Sequence, residues 1–191
     1  MPDIPFIRKE RKMKKIIFGL ALFIFLGAFI ACDNSNSSGD LGITPTNPGR
    51  FAFNAQYVHT QYVQGTWTSG IDYPRLTVIS SRAALDQYFN DYEGLYDFSR
   101  YQYSPTGFMD AIENYSEAFF GDNFLVLVLL EETSGSNRHR VENITDNGNI
   151  TITRRIPEIG ASDMAQWHII IELDKEDKFE QYQVVFLEER L

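Results

Sequence analysis

Cysteine occurs once in the 191 residues, so no internal disulfide is possible and stability must come from a packed core. Histidine occurs three times, as His59, His139 and His168, without His-x-x-x-His or His-x-Asp spacing, and a metal site would have to be assembled by the fold. No Gly-x-Ser-x-Gly elbow is present; Ser134-Gly135-Ser136 reads as turn chemistry. The neighbours Glu131 and Glu132 point to opposite faces of a strand, which excludes them as a paired acid and base. The chain therefore reads as a non-enzyme, and no cofactor or metal is expected. Long apolar runs are also missing. The longest, residues 16–31, counts 16 residues, short of the roughly 20 that a spanning helix needs.

Positive charge is scarce beyond the first 15 residues. Of the 17 Lys and Arg, six precede Cys32, against two of the 26 Asp and Glu, so the part after Cys32 holds 11 basic and 24 acidic groups. That sign repels phosphate backbones and anionic headgroups, which argues against nucleic acid as a partner and against electrostatic attachment to a membrane.

What is present opens with a basic stretch, residues 1–15, followed by the apolar run and then Cys32. This is the order of a secretory signal peptide, and Met13-Lys14-Lys15 reads as an alternative start. Phe29-Ile30-Ala31-Cys32 resembles the bacterial lipobox, with Phe29 where that motif usually has Leu or another aliphatic residue. The resemblance implies that residues 1–31 are a signal peptide, that Cys32 carries lipid such as palmitate, and that the domain sits on the outer face of the bacterial cell membrane. The alternative, an uncleaved anchor helix, leaves the domain on the same side. Residues 32–50, rich in Ser, Asn, Gly and Pro, read as a disordered tether. Residues 51–191 read as one domain, large enough to bury its own core.

Within that domain, residues 124–130 (F-L-V-L-V-L-L) read as a strand buried on both faces and as the central strand of the sheet. Residues 50–64 and 75–80 read as strands before it. Ala84, Leu85, Tyr88, Phe89 and Tyr92 recur at helical spacing behind a Ser80 or Ser81 cap, and a second helix is expected over 108–115. Strands follow over 138–146, 149–157, 166–174 and 181–188, the first two joined at Asn147-Gly148. The expected class is α+β: a mainly antiparallel sheet with one or two helices inserted before the central strand.

Two groups of residues stand out as candidate binding sites. A two-residue loop at Asn147-Gly148 would set Arg140 opposite Arg155 on a polar face that also carries Arg138. Opposed arginines need a counter-charge: either a carboxylate from a neighbouring strand, with Glu172 and Asp174 of suitable parity, or an anionic partner such as a peptide C-terminus. The second group is the aromatic stretch 96–103, where Tyr96, Phe98, Tyr101 and Tyr103 either pack inward or form an exposed platform for a sugar or peptide.

Ala118-Phe119-Phe120, the run 124–130, Ser134-Gly135-Ser136 and the strands after them resemble, over roughly 118–186, the C-terminal domain of the protease complex subunit PrcB family. Members of that family are lipoproteins thought to assist a surface protease. The family's glycine-rich, Tyr-containing turn is replaced here by S-G-S-N-R-H, and no family site residues carry over. The expected function is a non-catalytic, lipid-anchored binding or accessory module that engages another surface or secreted protein. The alternative is a glycan or small-ligand binding lipoprotein using the Tyr-rich loop.

Overall fold

The computed structural model describes residues 51–65, 70–99 and 103–191. Cys32, Tyr101 and the residues expected to form a signal peptide and a tether lie outside the described residues.

The domain is α+β and built mostly of antiparallel sheet. Its strands are β1 (Asn54–Tyr62), β2 (Arg75–Ile79), β3 (Tyr96–Asp97), β4 (Asn123–Glu132), β5 (Arg138–Ile144), β6 (Asn149–Ile156), β7 (Ala165–Asp174) and β8 (Gln183–Arg190). Among the described residues three helices, α1 (Arg82–Tyr92), α2 (Phe108–Ile112) and α3 (Phe119–Asp122), precede β4. The strands do not form one sheet. Five make a sheet of order β2-β4-β7-β1-β3, and three make a second of order β5-β6-β8 in which β6 and β8 run parallel.

The two-faced burial of β4 follows from its place between layers. Leu125, Leu127 and Leu129 face the helices and pack with Leu85, Tyr88, Phe108 and Ile112. Phe124, Val126, Val128 and Leu130 face the small sheet and pack with Val141, Ile150, Ile152 and Trp167. An uninterrupted apolar run is what a strand with cores on both sides requires. The central position, however, belongs to β7, which pairs with β4 on one side and β1 on the other. Its sequence hides this, because the polar residues Gln166 and His168 are themselves buried.

The turn at Asn147-Gly148 corrects the expected register. Thr145 N–H donates to Asn149 O at 3.0 Å and Gly148 N–H donates to Thr145 O at 3.0 Å, with Gly148 at φ 78°. This is a three-residue loop closed by a glycine in the left-handed region, not a two-residue loop. A bulge at Glu142 shifts the ladder by one more residue. Arg155 therefore faces Arg138, and Arg140 faces Thr153.

Candidate functional site

The outward face of the small sheet is set by register. Thr151, Thr153 and Arg155 of β6 pair with Val185, Leu187 and Glu189 of β8, while Ile150 and Ile152 with Val184 and Phe186 point into the core. The outward row on β8 is thus apolar yet uncovered: Val185 is 44% exposed and Leu187 52%. Ion pairs frame it. Arg140 Nη2 lies 2.8 Å from Glu142 Oε1, and Arg155 Nε lies 2.8 Å from Glu189 Oε2. The hydrogen bond and charge of Glu142 hold the Arg140 guanidinium above its ordinary pKa. Burial pushes the Glu142 carboxyl up, but hydrogen bonds from Thr153 and Arg140 outweigh it and hold the group below its usual range.

The carboxylates expected for this role, Glu172 and Asp174, belong to β7 in the other sheet. Glu172 instead accepts hydrogen bonds from Tyr115 Oη at 2.8 Å and Asn54 Nδ2 at 3.2 Å. β7 is no neighbour of β6, so neither carboxylate reaches the arginine face.

Arg138 leaves the arginine face. Its Nη1 donates to Gly135 O and Asn137 O, and its guanidinium lies 5.4 Å over the Tyr103 ring and 5.5 Å over Trp167. Burial lowers its pKa. His59 meets the same two rings edge-on, 5.0 Å from Tyr103 and 5.1 Å from Trp167. One residue from each sequence-predicted group, Arg138 and Tyr103, is therefore brought together, while Arg140 and Arg155 are held in ion pairs with Glu142 and Glu189.

Two other members of the aromatic stretch lie inside. Tyr96 is 1% and Phe98 5% exposed, which removes both from an exposed platform. With Tyr88 and Phe108 they surround His168, the four ring centroids lying 5.1–6.1 Å from the imidazole. Tyr88 Oη is 3.1 Å from His168 Nδ1, and Nε2 has no hydrogen-bond partner among the described residues. The Tyr96 hydroxyl continues outward through Tyr73 at 2.6 Å and Tyr62 at 2.8 Å to Glu131 Oε2 at 2.8 Å. Above this core lies a depression of about 490 Å³ lined by Tyr62, Val63, Phe89, Glu93, Tyr96, Phe98 and Met109, among others.

Two further clusters have structural roles that their sequence context did not announce. Ser134 Oγ donates to Ala161 O at 2.7 Å, Ala161 N–H donates to Ser136 Oγ at 2.8 Å, and Gly135 N–H donates to Asp163 O at 2.9 Å. The Ser-Gly-Ser turn is thereby clasped to residues 161–163. Glu132, 4% exposed, accepts hydrogen bonds from Asn137, His139 and Arg154, each at 2.8 Å. It pins β4 of the large sheet to β5 and β6 of the small one.

Sequence reasoning missed Val185 and Leu187. The available signal was Val184-Val185-Phe186-Leu187, an apolar run that fails to alternate although it belongs to the last strand. Among the described residues no group of three His, Cys, Asp or Glu side chains is arranged to hold a metal ion. Comparison with known proteins finds no family model, no curated protein and no solved structure that matches this chain.

Proposed function

We propose that this chain is a non-catalytic accessory module, anchored through lipid on Cys32 to the outer face of a bacterial cell membrane, that engages another surface or secreted protein. The observation that carries the reading is the uncovered pair Val185 and Leu187, set among Arg140–Glu142 and Arg155–Glu189. An apolar centre with a charged rim is the usual anatomy of a protein interface. The lipobox resemblance at residues 29–32 supports the anchoring, and the resemblance to PrcB-family domains supports an accessory role.

Val185→Glu with Leu187→Glu tests the reading. Both side chains point outward, so the double variant keeps its fold. Its recovery of a stoichiometric partner from crosslinked native membranes falls about tenfold or more. Recovery equal to that of the unaltered chain would refute it. A second reading, a small-ligand or glycan receptor, is favoured by the aromatic lining of the depression beside Tyr96 and Phe98. The same variant separates the two, because it leaves that depression untouched.

A further inference from the structure

Among the described residues the two sheets present four edges, β2 and β3 on the large sheet and β5 and β8 on the small one. Open edges invite pairing with another strand, and proteins commonly blunt them. Three of the four are blunted here. β3 has two residues, and β2 has five and follows Pro74 directly. β5 is bulged at Glu142, and its Val141 N–H is taken by Tyr57 Oη at 2.8 Å.

β8 differs on each count. It runs for eight residues with no proline and no bulge, and its middle is the uncharged Val184-Val185-Phe186-Leu187. Gln183 N–H donates to Gly148 O and Leu191 N–H donates to Ile156 O, so the odd-numbered residues direct their backbone groups to β6. By alternation, Val184, Phe186, Glu188 and Arg190 direct theirs outward, where no strand pairs with them among the described residues.

We infer that β8 is a docking edge at which the partner protein adds an extended segment as a fourth strand of the small sheet. The inference rests on the protein-binding reading above and specifies the partner's chemistry. One row of the added strand lies beside the half-buried Val184 and Phe186, the other beside Val185 and Leu187, so both rows are apolar. Exposed Glu188 and the excess of 24 acidic over 11 basic groups after Cys32 favour a segment without Asp or Glu. The chain's own tether suits the edge poorly, since Pro45 and Pro48 have no N–H to give to a ladder.

The test uses twelve-residue random peptides displayed on phage, selected on the purified full chain. Enriched peptides should carry aliphatic residues at successive positions, on both faces of the added strand, and lack acids. Glu188→Pro removes an outward N–H without touching the ladder to β6, and it should weaken these peptides about tenfold or more. Glu188→Ala, which removes only the 3.4 Å contact to Arg154, should bind as the unaltered chain does. Hydrogen exchange supplies a readout independent of substitution: peptide should slow the amides of Phe186 and Glu188 and leave those of Val185 and Leu187 unchanged. Equal binding to Glu188→Pro, or no enrichment, overturns strand addition. So does a dimer of the unaltered chain that Glu188→Pro converts to monomer, because the occupant is then a second copy. Peptides lost in Val185→Glu with Leu187→Glu but retained in Glu188→Pro overturn strand addition and leave the protein-binding reading standing.

Discussion

Glu132→Ala is expected to destabilise the domain by about 3–5 kcal/mol in urea unfolding, the range found when one member of a buried ion pair is removed. The carboxylate is 4% exposed and satisfies Asn137, His139 and Arg154 at once. Burial alone pushes its pKa up. The hydrogen bonds from His139 and Asn137, with the charge of Arg154, outweigh burial and hold it below 4.5. Removing it leaves Asn137 and His139 without their carboxylate partner in the seam between the sheets, and leaves Arg154, 24% exposed, with only the 3.4 Å ion pair to Glu188. Glu132→Leu with Arg154→Leu removes the weakened charge as well, so it should lose less than Glu132→Ala. If the single variant unfolded at the urea concentration of the unaltered chain, the seam would not depend on Glu132.

Acid should weaken the fold as pH falls below about 6.5. Burial holds the imidazoles of His59 and His168 neutral, with pKa values lowered from 6.5 to about 4 and about 3. The unfolded chain protonates near 6.5, so their contribution is complete above that pH and is lost as pH falls from 6.5 through the two folded values. At about 1.4 kcal/mol per unit for each group, the loss at pH 5 is on the order of 4 kcal/mol. Glu132, depressed below 4.5, adds a loss of the same sign at lower pH. His168→Phe places a ring among Tyr88, Tyr96, Phe98 and Phe108 that takes up no proton, and it should roughly halve the slope of stability against pH between 6 and 5. An unchanged slope would show that His168 does not titrate on unfolding.

How much of this was legible depends on whether the relevant signal is local. The run 124–130 announces two-sided burial because every position is apolar, and Ser81, whose Oγ accepts from Ala84 N–H at 3.1 Å, sits before a pattern with period 3.6. Sheet membership is not local. The alternation of β5 and β6 showed which face is inward, but nothing in it shows that β8 is the neighbour of β6 and β7 is not. The Asn-Gly pair signals a hairpin without fixing loop length, and the bulge at Glu142 leaves no compositional mark. The register of Arg138, Arg140 and Arg155 was therefore beyond the sequence, as was the counter-charge from Glu189. Tyr96 and Phe98 were ambiguous for another reason: aromatic stretches of one composition serve cores and platforms alike. The non-alternating run 184–187 hinted at Val185 and Leu187, but only the structure places them on the outward face of the small sheet, 44% and 52% exposed.

The proposal that this chain meets a partner protein at the outward face of β8 is tested most directly by photo-crosslinking in living cells, with a photoreactive amino acid in place of Leu187 and, as a control, in place of Asp86 on α1. One discrete protein adduct is expected from position 187 and none from position 86. No adduct at 187, or the same adduct from both positions, would contradict it.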